Sequence, residues 1–260
     1  MASASRFVRF RRGITLPILL FVAWEVSSRT GLVDARFLPS LEDVVATAKR
    51  ELIDNDLIGE LGFSLMRNIA GFLIGCVLGV GVGFASVLAL SRIADRLLMP
   101  TFNGLKQISL LAWIPLISVW FGFGEQAKIV FVALAAFIPI VLNTYDGMRQ
   151  APADLLEVAR ALKFNARQKA FRVYIPAAMP SIATGVHLGL IYAWLATVGA
   201  EYFLAVGPGI GGLVIAGRER FDMALVMVGV LVLGLVGFTL NRLAYVLEAY
   251  LLRWRPKQPA

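Results

Sequence analysis

Residues 61–90 run through Leu, Ile, Val, Phe, Ala and Gly, with Arg67 near one end as the charged exception. A run of that length covers the roughly 20 residues needed to cross a bilayer. In lipid the backbone must satisfy its own hydrogen bonds, and a helix does so. Gly71, Gly75, Gly79 and Gly83 recur every fourth residue. They leave one helical face without side chains, which another helix can approach backbone to backbone. The expected role is packing, within the subunit or in a dimer, rather than cofactor binding.

Composition extends that reading to the whole chain. With 260 residues, 58% hydrophobic, 16% charged and mean hydropathy +0.76, this is an integral membrane protein rather than a soluble domain. One Cys (Cys76) and one His exclude a disulfide, a Cys/His metal site and a histidine-based triad. No GxxxxGK[ST] occurs, so no P-loop is present. The run Gly207-Pro208-Gly209-Ile210-Gly211-Gly212 satisfies GxGxxG, but no strand precedes it. It reads as a re-entrant or gate loop, not a dinucleotide site.

Along the chain, Arg6, Arg9, Arg11 and Arg12 precede an apolar run over 14–26. A signal peptide has such a start. Pro17 and Glu25 interrupt the run, however, and no small-x-small triplet follows it closely, so an uncleaved first span is expected. Ser40 is placed to cap the next helix, with Asp43 in the box position. There Leu41, Val44, Val45, Ala48, Leu52 and Ile53 form one apolar stripe opposite Glu42, Asp43, Lys49, Arg50 and Glu51. That helix is too polar to span. Beyond 61–90, a third span over about 100–121 should kink at Pro115. A fourth is expected over about 127–145, a fifth over 181–198 and a sixth over about 223–247. The expected fold is an all-α integral membrane protein of about six transmembrane helices. Residues 1–13 form an N-terminal tail, 14–60 the first span with the surface helix, 61–250 a core holding a polar loop at 146–180, and 251–260 a C-terminal tail.

The longest polar interruption, 154–180, reads as two short helices with a turn between them. Pro152 suits the first turn of the first helix, where its missing N–H costs nothing. Leu155, Leu156, Val158, Ala159 and Leu162 follow at helical spacing. Asn165 is placed to cap the second helix with Gln168. That helix carries Arg167, Lys169 and Arg172 beside Phe171 and Tyr174, and should end at Pro176 and Pro180. A hairpin this polar must lie outside the lipid. Placing the N-terminus inside puts Arg6, Arg9, Arg11, Arg12, Arg92, Arg96, Arg149, the hairpin bases, Arg253, Arg255 and Lys257 on the cytoplasmic side. Arg29, Arg36, Lys49, Arg50, Lys128, Arg218 and Arg220 then fall outside. That bias obeys the positive-inside rule.

Glu157, Ala159, Val173, Ile175 and Pro176 stand at the offsets of the loop that ABC-importer permeases present to their ATPase, and the chain resembles such a permease. The runs Ala112-Trp113-Ile114-Pro115-Leu116, Trp120-Phe121-Gly122, Gly124-Glu125 and Lys128-Ile129 are similar to permeases of the nitrate, sulfonate, taurine and bicarbonate importer family. So are Ala200-Glu201 followed by Gly209-Ile210-Gly211, and Phe37-Leu38-Pro39-Ser40. The chain departs from the family at Lys163, where a glycine is usual, at Ser109 and Leu110, where proline is common, and at His187, where many carry arginine. Lysine adopts the left-handed conformation such a glycine supplies only with strain, so Asn165 is expected to make the turn.

The resemblance implies a type I ABC-importer permease fold with a cytoplasmic coupling hairpin, in a bacterial inner membrane, with both termini cytoplasmic. It implies no catalytic residue and no cofactor on this chain, ATP and Mg²⁺ belonging to the partner ATPase. The implied partners are two ATP-binding subunits, a second permease copy as homodimer and a periplasmic solute-binding protein, with no nucleic acid. The solute would be small and anionic, like a sulfonate, taurine, nitrate or bicarbonate. A neutral heterocycle such as a pyrimidine precursor is the alternative. Glu157, Ala159, Lys163, Asn165, Arg167, Ile175 and Pro176 would couple to the ATPase. Arg67, Lys106, Trp113, Pro115, His187, Glu201, Gly209 and Gly212 are candidates for the path or gate.

Charges within spans are costly and therefore informative. Arg67 and Lys106 lie near span ends and are expected to snorkel. Glu201 is expected to shape the outer gate by pairing with Arg218 or Arg220. His187 reads either as a hydrogen-bonded packing residue or as part of an anion path. Two other classes compete: an ion-driven secondary transporter, which would favour acids deep in the spans, where only Glu25 and Glu248 come near, and a membrane enzyme, which would need polar groups clustered at one depth.

Overall fold

The computed structural model describes residues 2–34, 36–88, 93–204 and 207–253, apart from the side chains of 2–14, 17, 94, 95 and 251. Arg92, Arg255 and Lys257 lie outside the described residues, as do the side chains of Arg6, Arg9, Arg11 and Arg12. The chain forms α1 (Ala2–Arg29), α2 (Leu41–Ile53), α3 (Leu57–Leu88), a π turn (Ala94–Leu98), α4 (Met99–Leu105), a 3₁₀ turn (Leu110–Trp113), α5 (Ile114–Phe121) and α6 (Glu125–Arg149). Then follow α7 (Ala153–Ala161), α8 (Ala166–Lys169), a second π turn (Ala170–Tyr174), α9 (Ile175–Phe203), α10 (Ile210–Glu219) and α11 (Met223–Leu251).

Helix α6 is the axis of the bundle. Ala127, Phe131, Val132, Ala136 and Ile140 are all fully buried, packed with Ala193, Ala196 and Ala200 of α9. The glycine face of α3 lies against it: a Cβ on Gly75 would stand 2.5 Å from the Ala133 carbonyl oxygen and 2.8 Å from the Ala136 Cβ. Gly71 likewise faces Val132, Gly79 faces Ile140 and Gly83 faces Thr144. Both sequences advance together, so α3 and α6 run parallel. Gly185 meets Asn143 while Gly189 meets Ile140 and Ala136, so α9 runs antiparallel to α6. Helix α11 is antiparallel to α9 in turn, since Gly237 meets Trp194 and Glu248 meets His187.

Topology decides how the third apolar segment crosses. Two parallel neighbours require the chain between them to return across the bundle. Residues Arg96–Leu105 and Leu110–Phe121 do so as one pair of helices bent by 101°. Among the described residues, Leu57–Leu88, Glu125–Arg149, Ala166–Phe203 and Met223–Tyr250 are long and apolar enough to span, and the bent pair makes a fifth. The all-α, multi-span fold expected from the sequence is the one that forms, with four to five candidate spans among the described residues. The stretch 14–26 lies within α1, whose Leu16, Leu19, Leu20 and Phe21 are exposed.

Several local expectations are corrected. Pro115 does not kink a helix: the break falls at residues 106–109, and Pro115 occupies the first turn of α5, where its missing N–H is not needed. Pro176 and Pro180 do not end the hairpin's second helix. The π turn just before Pro176 shifts the hydrogen-bond ladder, and the helix continues with Pro180 inside it. On α2, whose Ser40–Asp43 capping box is formed, the buried positions are Val44, Thr47 and Glu51. Leu52 and Ile53 face outward at 52% and 80% exposure. Glu51 is accommodated because Asn55 Nδ2 donates to its carboxylate at 3.1 Å and Arg50 lies 3.5 Å away.

Candidate functional site

At the pole where α3 and α6 begin and α9 ends, four charges meet. Arg67, 2% exposed, donates through Nη1 to Glu201 Oε1 at 2.6 Å and through Nη2 to Glu125 Oε1 at 2.7 Å, with Nε also on Glu125. Lys128, 1% exposed, sets its Nζ 3.5 Å from Glu125 Oε1. The formal charges of the four cancel, as buried charges require. The other oxygen of Glu201 accepts the Gly211 N–H at 2.9 Å, Ser64 Oγ accepts the Ile210 N–H at 3.0 Å, and Glu60 accepts the Gly209 N–H. The start of α10 is thereby tied to α3 and α9. Gly209 has φ +145°, and a Cβ there would stand 2.6 Å from the Glu201 carboxylate and 2.7 Å from Arg67 Nη1. Only glycine fits both the backbone and the space.

Two expectations fail here. Arg67 does not snorkel; buried Glu201 and half-exposed Glu125 together satisfy its fork. Glu201 pairs with Arg67 rather than with Arg218 or Arg220, and Arg218 instead donates to the Tyr202 hydroxyl at 2.6 Å. Gly212 lies on a neighbouring surface cleft with Glu51 and Glu60, outside the cluster.

Between α4, the bend at 106–109 with the 3₁₀ turn after it, α6 and α9 opens a cleft of about 710 Å³, within the usual range for small-molecule sites. Lys106, Gln107, Trp113, Asn143, Asp146 and Tyr192 line it. Lys106 follows the end of α4, where a cation meets the helix's free carbonyls favourably. Pro115 is exposed and is not part of the lining. His187 lies elsewhere, with Nδ1 2.8 Å from Glu248 Oε2 and Nε2 2.8 Å from Asn241 Oδ1, joining α9 to α11. Among the described residues no group of three or more His, Cys, Asp or Glu converges to hold a metal.

At the opposite pole stands the hairpin. Pro152 is the N-cap of α7 rather than a residue of its first turn. Lys163 itself takes the left-handed conformation at φ +51°, correcting the assignment of that role to Asn165. The reason is a closed pair of bonds: the Lys163 N–H donates to the Arg160 oxygen and the Phe164 N–H to the Ala159 oxygen, both at 2.9 Å. These satisfy the last carbonyls of α7 and offset a backbone cost of about 1–2 kcal/mol. Asn165 caps α8, accepting the Gln168 N–H at 2.8 Å while Gln168 Oε1 accepts the Asn165 N–H at 2.9 Å. Ala159, Ala170 and Val173 are buried where the hairpin closes on itself. Leu155 (48%), Val158 (55%), Leu162 (61%) and Phe171 (62%) remain exposed. Glu157 and Arg167 are exposed, Ile175 is half-buried and Pro176 sits exposed in the first turn of α9.

Sequence reasoning passed over Glu125, Lys128 and Glu248 as partners and Asp146 as a residue of the cleft. Their signal was charge at the ends of apolar runs. Residues 61–255 match the family model described as binding-protein-dependent transport system inner membrane component. The aliphatic sulfonates transport permease protein SsuC of Bacillus subtilis (strain 168) is 35% identical over 94% of this chain and 87% of its own length. Its namesake in Escherichia coli (strain K12) is 36% identical over 93% and 90%. The bicarbonate transport system permease protein CmpB of Synechococcus elongatus is 31% identical over 93% and 90%. A chain of the inward-facing MetNI methionine ABC transporter shares the fold with TM-score 0.56 at 20% identity, over 73% of this chain and 95% of that one. A chain of an amino acid ABC transporter does so with TM-score 0.57 at 16% identity, over 74% and 92%.

Proposed function

Since the chain belongs to the family of binding-protein-dependent transport system inner membrane components, we propose that it passes a small solute bearing an anionic group, driven by ATPase subunits seated on the hairpin. The permease role in an ABC importer follows from the membership itself: this is a multi-pass inner-membrane transport chain, not an enzyme, and it works with an ATPase and a binding protein. The finer reading is a homodimer with two ATPases, ATP and Mg²⁺ held by those partners, both termini and the hairpin cytoplasmic, and the binding protein docking at the pole of Glu201. The anionic group is supported by the relatives named for sulfonates and bicarbonate and by Lys106 in the cleft.

One observation carries the coupling. Leu155, Val158 and Leu162 stand exposed on one side of a capped helix outside the bundle, beside Phe171, which suits a partner's apolar groove. Residues Ala166–Phe203 form one continuous 38-residue helix from that hairpin to the charge cluster, about 57 Å at 1.5 Å per residue. Closing the ATPases displaces the hairpin, and the rod carries the displacement to Glu201, two residues from its far end.

The test is uptake into proteoliposomes holding the permease, its ATPase and its binding protein. Removing ATP while keeping an ion gradient should stop uptake, and Leu155→Asp with Val158→Asp should release the ATPase. Uptake that follows the gradient without ATP, or an ATPase that stays bound to the double variant, would overturn the reading.

A further inference from the structure

We infer that a groove between α9 and α11, away from the cleft and the charge cluster, holds one acyl chain of a membrane phospholipid, with its anionic headgroup at Arg253. The groove has a volume of about 280 Å³. Helix α9 gives it a stripe from Met179 through Val186 to Leu190, α11 a facing stripe from Leu243 to Leu252, and Phe72 of α3 completes the wall. Such stripes recur every three or four residues, as one face of a helix requires. Apart from His187 and Glu248 the lining is apolar, and those two are already bonded: His187 to Glu248 and Asn241, both at 2.8 Å, and Glu248 also to Thr184. The groove offers a ligand hydrocarbon contact and little else.

Its length identifies the occupant. Met179 lies just inside the start of α9 at the hairpin pole, and Leu190 adjoins Gly189, which packs on Ala136 and Ile140 at the middle of α6. The helical rise between them is about 16 Å at 1.5 Å per residue, and one leaflet of a hydrocarbon core about 30 Å thick is about 15 Å deep. The groove therefore runs from the membrane surface to the midplane, the path of one extended acyl chain. A helix of a second copy, about 10 Å across, would need several times the groove's volume over that length. The rim supplies the charge. Helix α11 has 29 residues, about 43 Å and longer than the hydrocarbon core, so its ends reach the headgroups. Arg253 directly follows the lining residue Leu252, is exposed, and sits over the Tyr250 ring at 4.7 Å. It has no ion-pair partner among the described residues. An unanswered guanidinium beside an interfacial tyrosine suits a lipid phosphate and favours an anionic headgroup.

The test uses the permease purified with its ATPase in lipid nanodiscs doped with phosphatidylglycerol or phosphatidylcholine carrying a diazirine midway along one acyl chain. After photolysis, peptide mass spectrometry should find the label on the groove residues Val186, Leu190 or Leu243 in preference to Leu235 and Phe238, which are 67% and 68% exposed. Phosphatidylglycerol should label the groove about fivefold more than phosphatidylcholine, the effect of one basic residue near the membrane surface. Arg253→Gln should bring the two probes level, and Ala244→Phe, which fills the groove, should abolish the groove label. Label spread evenly over the groove and the exposed residues, equal labelling of the groove by both probes in the parent, or an unchanged groove label in Ala244→Phe would overturn the site. Should Ala244→Phe fail to assemble, the parent's labelling pattern with the two probes decides.

Discussion

Replacing Arg67 with methionine tests whether the charge cluster holds the start of α10. Arg67 and Glu201 are each 2% exposed and joined at 2.6 Å. Once the guanidinium is gone, Glu201 keeps only the Gly211 N–H of the bonds described above. Breaking a buried pair from one side costs about 3–5 kcal/mol, because the remaining charge is stranded. Glu125 adds little, below about 1 kcal/mol, since it is 51% exposed and returns to water. Methionine at both 67 and 201 removes both charges, and replacing such a pair with apolar residues of similar volume is often close to neutral. The single variant should therefore be the less stable of the two. Thermal unfolding of the purified complex, followed by tryptophan fluorescence, gives the comparison. At about 2–4 °C per kcal/mol for a chain of this size, Arg67→Met should lower Tm by about 6 °C or more, with most of the loss recovered in the double variant. A single variant melting with the parent, or a double variant as unstable as the single, would refute the stranded-charge reasoning.

Other outcomes follow from the same geometry. Gly75→Leu forces a side chain into the Ala133 carbonyl 2.5 Å away and should abolish a monodisperse peak in size-exclusion chromatography, whereas Gly81→Leu, with nothing within 4 Å, should not. Lys163→Gly relieves the left-handed lysine and should raise Tm by a few degrees, for about 1 kcal/mol. Asn165→Ala removes the cap of α8 and should cost about 1 kcal/mol in the same melt. Glu248→Ala removes a partner of His187 and should speed hydrogen exchange at the end of α11.

The order of residues by itself determined what depends on near neighbours. Apolar runs marked the spans, the four-residue glycine period marked a close-packing face, and Ser40 with Asp43 and Asn165 with Gln168 marked helix starts, since caps and helical faces involve residues three or four apart. Local rules also misled. Pro115 suggested a kink because a proline inside an apolar run breaks the ladder, yet only the bend at 106–109 shows that no ladder was there to break. Lys163 suggested strain to be avoided, yet two carbonyls at the end of α7 needed donors there.

Tertiary structure alone decided the partners. Arg67 lies 58 positions from Glu125 and 134 from Glu201, and no periodicity links them. Snorkelling assumes that water is the nearest polar partner, and packing α3 against α6 and α9 supplied a nearer one. The same packing put Lys106 and Asp146 on one cleft. Helix formation is settled by neighbours in sequence, whereas a buried charge is settled by whatever distant segment the packing brings within hydrogen-bond reach.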